Sequence, residues 1–176
     1  FHPNIFASCS DDRLINIWDV RFRSSSANED KKPLFEVVAH TDEVYSLDFS
    51  PFNEFLFASG SADENVSVWD MRNLTRSLMT FNGEKNSVIK VQWSPFNSCV
   101  LASCGYGRNV DIWDISKEKK EHDTNYLFRH MGHRSKVLDL DWNPHEKLLL
   151  ASVEENNCIE VWQLGRHIYY EDEEGK

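Results

Sequence analysis

Stretches in which apolar and polar side chains alternate recur along the chain. Alternation with a period of two is typical of strands that bury one face. The three clearest alternating stretches lie at residues 44–49, 88–93 and 137–142. A short, continuous apolar run follows each of them, at residues 55–58, 100–102 and 148–151. Continuous runs of this length are expected of strands packed between neighbours on both faces.

Two further sets of strand-like segments complete the pattern. One set alternates again, at residues 66–69, 110–113 and 159–162. The other set is less regular, at residues 34–38, 77–81 and 126–129. The pattern therefore predicts an all-β chain in which four strands recur in a fixed order.

Fixed spacings tie these strands to an internal repeat. The alanine of each of four Ala-Ser pairs precedes a tryptophan by 11 residues, and an aspartate follows three of the four tryptophans. These tryptophans are Trp18, Trp69, Trp113 and Trp162. Three prolines lie seven residues before the corresponding alanines, at Pro51, Pro95 and Pro144. These landmarks resemble those of WD-repeat proteins, and the resemblance covers nearly the whole chain.

The resemblance implies a WD40 β-propeller with seven blades, of which about four are present here. We expect repeats at about residues 1–39, 40–83, 84–132 and 133–164, followed by a terminal helix and an acidic tail at 165–176. The first blade lacks its first strand and the last blade lacks its fourth, so three, four, four and three strands are expected. Because such an arc leaves unpaired edges, we expect the chain to be the carboxyl-terminal part of a larger ring.

Composition and charge narrow the function. The chain has 40% hydrophobic residues and no apolar run long enough for a membrane helix. Its 19 Lys and Arg against 29 Asp and Glu give a net charge of −10, which argues against direct DNA binding and favours a basic partner. Four cysteines without metal-ligand spacing predict buried or half-buried thiols, no metal site and a reducing compartment (Cys9, Cys99, Cys104, Cys158).

Longer sequence words indicate a particular group of WD-repeat proteins. They are SPFNEF at 50–55, GSAD at 60–63, VWDMRNL at 68–74, VQWSP at 91–95, WNP at 142–144 and VWQL at 161–164. These words resemble the retinoblastoma-associated, Msi1-like histone-binding proteins. The resemblance implies a scaffold without enzyme activity or cofactor, located in the nucleus alone or in both nucleus and cytoplasm. Its partners would be histones H3 and H4 and subunits of chromatin assembly, acetyltransferase, deacetylase or methyltransferase complexes. The alternative is a general WD-repeat adaptor in ribosome assembly, ubiquitin ligation or trafficking.

One set of polar residues permits two interpretations. His40, Ser59 and Asp63 have the residue types of a Ser-His-Asp catalytic triad. In WD repeats the same types form, with a tryptophan such as Trp69, a buried hydrogen-bonded network, and buried polar groups need such partners. We favour the structural interpretation and predict no enzyme activity.

The network is expected to vary between repeats. The last repeat keeps His133, Ser152 and Trp162 but has Asn156 at the aspartate position. The third repeat has Glu84 and Gly107 at the histidine and aspartate positions. We therefore expect the third repeat to lack the network and to be looser.

Acidic residues in the loops are the candidates for binding. In a propeller these loops gather at one end of the central channel, where an acidic funnel attracts cations. The residues expected there are Asp11, Asp12, Glu43, Asp63, Glu64, Glu154 and Glu155. With Asp12 and Asp63 assigned to the network, five remain as candidates for an H3-like tail: Asp11, Glu43, Glu64, Glu154 and Glu155. The alternative is that these acids only solvate turns. Ser87 and Ile89 depart from the family, which puts one arm of the tail site in doubt.

A second family site binds an H4 helix in a side groove. Leu127 and Phe128 match its apolar wall, and Ile168 and Tyr169 are expected on a short terminal helix that lines it. The loop at 116–125 is shorter than that of the family and carries both charge signs, which is more typical of a solvated turn.

Overall fold

The computed structural model describes residues 3–22, 32–82, 85–116, 126–165 and 168. These residues form fourteen strands in four antiparallel sheets, which we call blades 1 to 4. Blade 1 contains β1 (Ile5–Cys9), β2 (Leu14–Asp19) and β3 (Phe35–Val38). Blade 2 contains β4 (Val44–Phe49), β5 (Leu56–Ser61), β6 (Asn65–Asp70) and β7 (Met79–Asn82). Blade 3 contains β8 (Val88–Trp93), β9 (Val100–Gly105), β10 (Val110–Asp114) and β11 (Tyr126–His130). Blade 4 contains β12 (Val137–Trp142), β13 (Leu149–Glu154) and β14 (Cys158–Gln163).

Strands that follow one another in sequence are neighbours in every sheet. The predicted all-β fold, with three, four, four and three strands, is therefore confirmed. The four sheets are blades of a partial WD40 propeller. The repeat tryptophans hold the same position in each, as when Trp69 pairs with Phe57 and Trp113 pairs with Leu101.

The first strands of blades 2, 3 and 4 share an irregularity. Their pairing with the second strand shifts register between Val44 and Ser46, between Val88 and Lys90, and between Val137 and Asp139. A bulge of this kind re-aims the side chain of the extra residue. In blade 2 the extra residue is Tyr45, whose side chain is exposed.

The apolar core lies between blades rather than within one. Blades 1 and 2 enclose a cluster that includes Ile17, Phe57 and Trp69. The interfaces of blades 2 with 3 and of blades 3 with 4 hold corresponding clusters, around Trp113 and around Trp142. Because a sheet must bury its apolar faces, each blade depends on its neighbours for stability.

Hydrogen bonds join the first strands of neighbouring blades. The indole nitrogen of Trp93 donates to the Asp48 carbonyl oxygen at 3.1 Å, and its amide donates to the Asp48 carboxylate at 2.8 Å. In the next blade Trp142 donates to the carbonyl oxygen and side-chain oxygen of Gln92 at 3.4 and 3.2 Å. Burial raises the pKa of the Asp48 carboxyl, although the Trp93 amide opposes this shift.

The structure corrects one of the cysteine predictions. All four cysteines are free, and Cys9, Cys99 and Cys104 are buried or half-buried as predicted. Cys158 is exposed, because it is the first residue of β14 and directly follows the exposed turn at residues 155–157. Within the residues that the structure describes, no helix is long and apolar enough to span a bilayer.

Candidate functional site

A backbone contact recurs where the second and third strands of a blade are joined. In blade 2 the Ala62 amide donates to the Glu43 carbonyl oxygen at 2.9 Å, and in blade 4 the Glu155 amide donates to Lys136 at the same distance. In blade 3 the Tyr106 amide donates to Ser87 at 3.0 Å. Each turn is thereby fixed against the start of its own first strand.

Neighbouring blades are joined at the same end. The Val44 amide donates to Ser10 of blade 1 at 3.1 Å, and the Val137 amide donates to Gly107 of blade 3 at 3.3 Å. These turns and strand starts therefore form one continuous surface, which we call the loop end.

Four of the five predicted tail-binding acids lie in accessible positions at the loop end. Asp11 and Glu155 are exposed, and Glu43 and Glu64 are half-buried. The Tyr45 hydroxyl donates to a Glu43 carboxylate oxygen at 2.5 Å. This hydrogen bond raises the pKa of Tyr45 to about 12, because the carboxylate favours the protonated phenol.

Glu154 is placed differently from the prediction. It is buried, with 8% of its surface exposed, and its carboxylate accepts the amides of Arg134 and Ser135 at 2.7 and 3.0 Å. Its position at the end of β13 points it into the blade, whereas Glu155 begins the following turn. Glu154 is therefore part of a buried network and not of the exposed acidic surface.

The network in blade 2 is complete. The Trp69 indole nitrogen donates to the Ser59 hydroxyl oxygen at 2.9 Å, and that oxygen lies 2.7 Å from His40 Nε2. His40 Nδ1 lies 3.0 Å from Asp63 Oδ2, which also accepts the Thr41 amide at 3.0 Å. With His40 neutral, Ser59 donates to Nε2 and Nδ1 donates to Asp63, so that the hydrogen-bonding groups along this chain are satisfied.

Burial and hydrogen bonding together set the protonation states of this network. Burial lowers the pKa of His40, against the opposing effect of Asp63. Burial alone would raise the pKa of Asp63, but the Thr41 amide, His40 and the Asn65 amide together lower it. The pair is therefore a neutral imidazole beside a carboxylate at neutral pH.

Blade 4 keeps the same chain of contacts with another carboxylate. The Trp162 indole nitrogen donates to Ser152 at 3.0 Å, and Ser152 Oγ lies 2.6 Å from His133 Nε2. His133 Nδ1 lies 3.4 Å from Glu154 Oε2. Asn156, at the expected aspartate position, is exposed. Burial would raise the pKa of Glu154, but the amides of blade 4 and His133 lower it.

The structure refines one part of the expectation for blade 3. The Trp113 indole nitrogen donates to Ser103 at 2.8 Å, so the tryptophan–serine part of the network is present. Every residue of β9 is buried, which does not support a looser blade. Glu84 lies outside the described residues. In blade 1 the Trp18 indole nitrogen donates to Ser8 at 2.9 Å, while Asp12 accepts the Leu14 amide at 3.0 Å.

The contacts of His40, Ser59 and Asp63 resemble those of a catalytic triad, but their surroundings do not. Ser59 has no exposed surface, and its oxygen is held by the Trp69 indole. A substrate carbonyl cannot approach this hydroxyl without opening the blade. The arrangement therefore supports the structural interpretation of these residues.

Three of the four residues predicted for the side groove come together. Leu127, Phe128 and Ile168 all pack against the core between blades 3 and 4. The Phe128 ring lies 6.0 Å from that of Trp162. Tyr169, most of the loop at 116–125 and the predicted terminal helix beyond Gly165, apart from Ile168, lie outside the described residues.

One group of side chains could in principle hold a metal ion. Ligand atoms of His130, His133 and Glu160 lie within 4.8 Å of one another. His130 Nε2 already lies 2.7 Å from Glu160 Oε2, and the two ring nitrogens of His133 face Ser152 and Glu154. Hydrogen bonding accounts for His130, Glu160 and the Nε2 atom of His133. The prediction of no metal site remains a prediction.

Sequence reasoning missed three side chains at the loop end. Tyr45 and Tyr106 are exposed aromatic residues there, and Lys136 lies with its ammonium over the Tyr106 ring. The sequence could have indicated Tyr45, because it lies two residues after the candidate acid Glu43, in a stretch that alternates apolar and polar residues. No sequence signal connects Tyr106 to Lys136, because they belong to different blades.

Comparison with known families agrees with the four blades. The family described as WD domain, G-beta repeat matches residues 1–19, 31–70, 75–114 and 125–163. Each matched segment ends one residue after its tryptophan, at the last residue of a blade's third strand. WD40 repeats are protein-interaction scaffolds, and with its repeated tryptophan–serine network and its four blades this chain belongs to the WD40 repeat family.

Proposed function

We propose that this protein is a non-enzymatic histone-binding scaffold. Its loop end binds the basic amino-terminal tail of histone H3, and its side groove binds a helix of histone H4. The observation that carries the proposal is the convergence of accessible acids from blades 1, 2 and 4 at one end: Asp11, Glu43, Glu64 and Glu155.

The electrostatics of the chain favour a basic ligand. Its net charge is −10, and a surface with several carboxylates steers cationic ligands toward it. A single exposed ion pair contributes only about 0 to 1 kcal/mol, whereas a bidentate, partly buried arginine contributes about 1.5 to 3 kcal/mol. Several arginines and lysines in one extended peptide would therefore be needed for tight binding.

The test is fluorescence anisotropy of a labelled H3 amino-terminal peptide at near-physiological salt. We expect micromolar or tighter binding, and we expect Glu155→Lys to weaken it by about tenfold, since the charge at the contact is reversed. Glu146→Lys is the matched control, because Glu146 is an exposed acid in the turn between β12 and β13, at the opposite end. Unchanged affinity in Glu155→Lys would count against this assignment.

The side groove is tested with a peptide of the first H4 helix. Leu127 lies on β11 and is half-buried, so part of it remains available to a partner helix. We expect Leu127→Asp to weaken H4 peptide binding and to leave H3 peptide binding intact. Thermal unfolding of the variant separates loss of the groove from loss of the fold.

We further propose a nuclear protein that serves chromatin assembly or histone-modifying complexes. Immunoprecipitation followed by mass spectrometry tests this, with recovery of such subunits as the expected result. Failure of both histone peptides to bind the folded protein would overturn the histone proposal.

One observation favours the alternative, a general adaptor for non-histone peptides. Ser87 stands where the histone-binding group has a glutamate, and its hydroxyl donates to the Ala62 carbonyl oxygen at 3.4 Å. Blade 3 therefore contributes no carboxylate at this position of the loop end. Preference for a non-histone partner in an unbiased pulldown would support the adaptor.

A further inference from the structure

A lysine of the chain lies between an aromatic ring and a carboxylate at the loop end. The Lys136 ammonium is 4.8 Å from the centroid of the Tyr106 ring. The same nitrogen is 3.9 Å from a carboxylate oxygen of Glu155. The ring belongs to blade 3, and the lysine and glutamate belong to blade 4.

Hydrogen bonds fix the backbone at Tyr106 and at Glu155, the residues that carry the ring and the carboxylate. The Tyr106 amide donates to Ser87 at 3.0 Å, and the Glu155 amide donates to Lys136 at 2.9 Å. Gly105, just before Tyr106, has no room for a side chain, because an added Cβ would overlap the Ser87 carbonyl oxygen. The Val137 amide, bonded to Gly107 at 3.3 Å, fixes the two blades against each other.

The lysine side chain itself is held loosely. It is 47% exposed, and its distance to Glu155 is at the limit of an ion pair. Exposed ion pairs and exposed cation–π contacts are both weak, and a lysine side chain has four rotatable bonds. The ammonium can therefore leave without any change in the backbone.

We propose that Tyr106 and Glu155 form a subsite for one basic side chain of a bound peptide, and that Lys136 occupies this subsite in the free protein. The inference rests on the proposed binding of a basic peptide at the loop end. An arginine is the preferred occupant, because its planar guanidinium stacks on an aromatic ring while it donates two parallel hydrogen bonds to a carboxylate. The Lys136 ammonium can make only one of these two interactions well, the contact with the ring or the hydrogen bonding to the carboxylate.

The test compares two substitutions that remove one positive charge from neighbouring sites. Lys136→Met removes the internal competitor, and Arg108→Met removes an exposed charge two residues after Tyr106. We expect Lys136→Met to raise the affinity for an arginine-containing H3 tail peptide by about 3- to 10-fold, well beyond the effect of Arg108→Met. Tyr106→Leu should lower the affinity by a similar factor, and Tyr106→Phe should retain it.

A spectroscopic signal of the free protein tests the occupancy directly. The ring current of Tyr106 should shift the side-chain protons of Lys136 upfield in NMR spectra. This shift should be lost in Tyr106→Leu and when the parent protein is saturated with peptide. Persistence of the shift in the peptide complex would overturn the displacement while leaving the loop end as the binding surface.

The remaining outcomes separate the two proposals. Equal gains in peptide affinity in Lys136→Met and Arg108→Met would show that the effect comes from net charge alone. This result would overturn the proposed subsite. Unchanged affinity in Tyr106→Leu would do the same. If neither the parent nor Lys136→Met binds any basic peptide, the proposed function itself is overturned.

Discussion

Blades 2 and 4 contain the same tryptophan–serine–histidine chain but complete it with carboxylates from different places. In blade 2, Asp63 lies in the turn four residues after Ser59 and reaches His40 Nδ1 at 3.0 Å. In blade 4, Glu154 lies on the strand two residues after Ser152, and its carboxylate is 3.4 Å from His133 Nδ1.

The difference shows which part of the arrangement the fold requires. Both carboxylates accept the amide of the residue that follows the histidine, Thr41 in blade 2 and Arg134 in blade 4. The extra methylene of glutamate allows the carboxylate to reach this amide from another position of the hairpin. A carboxylate at the amide, rather than an aspartate at one sequence position, is therefore the common feature.

The substitution has a structural cost and a functional consequence. His133 Nδ1 is buried and has no hydrogen-bond partner among the described residues, which is unfavourable. Glu154 is also buried, so that of Glu154 and Glu155 only Glu155 is an exposed acid in blade 4. Blade 2 keeps both Glu43 and Glu64 accessible because Asp63 lies inside.

Removing each of the two carboxylates in turn should give the largest difference in stability between blades 2 and 4. Asp63→Ala leaves His40 Nδ1 and the Thr41 amide without their acceptor, and we expect a loss of about 2 to 4 kcal/mol in the free energy of unfolding. Glu154→Ala should cost less, because His133 Nδ1 has no hydrogen bond to lose. Urea titration followed by tryptophan fluorescence measures both. Equal losses would show that the longer contact in blade 4 is as strong as the short one.

Replacing the network serines should give a smaller difference in stability between blades 2 and 3. Ser59→Ala leaves both His40 Nε2 and the Trp69 indole without partners, and should cost about 2 to 3 kcal/mol. Ser103→Ala removes one contact, to Trp113, and should cost about 1 to 2 kcal/mol. Ser98→Ala, an exposed serine of blade 3, is the control with little expected effect. A larger loss in Ser103→Ala would mean that blade 3 has a fuller network than its sequence suggests.

The sequence predicted the strands well where alternation alone decides them. The first strands of blades 2, 3 and 4 have the predicted bounds, Val44–Phe49, Val88–Trp93 and Val137–Trp142. The second strands run further than their apolar segments, since β5 continues to Ser61 and β9 to Gly105. Serine ends an apolar run in sequence, but Ser59 and Ser103 are buried because the network satisfies their hydroxyls.

The candidate site was less predictable because its contacts join distant parts of the chain. Asn156 correctly indicated that the network of blade 4 differs from that of blade 2. Nothing in the sequence shows that Glu154 is buried and supplies the carboxylate instead. Whether an acid at the end of a strand is buried depends on its reach across the hairpin. The contact of Lys136 with Tyr106 likewise depends on how two blades meet.

Transplanting the blade 2 arrangement into blade 4 tests whether the two carboxylate positions are equivalent. Glu154→Ser should destabilise the protein, and Asn156→Asp alone should have little effect. Combined, they place a carboxylate four residues after Ser152, and we expect recovery of about half or more of the loss, since the two changes act on one network. Additive effects in urea titrations would show that position 156 cannot reach the Arg134 amide.

The smallest effect should be the pH dependence that His40 introduces. Burial lowers the pKa of His40 in the folded protein, so the unfolded chain binds a proton first as the pH falls. Stability from this group is therefore complete above the ordinary histidine pKa of about 6.5 and declines below it, by at most about 1.4 kcal/mol per pH unit. The lowered pKa of Asp63 acts in a separate window, below the ordinary aspartate pKa of about 3.9, where stability is lost as this carboxylate becomes protonated. Unfolding free energies measured from pH 7.5 to 5 should fall more steeply in the parent than in His40→Gln. Identical slopes would mean that His40 takes up its proton as readily in the folded blade as in the unfolded chain.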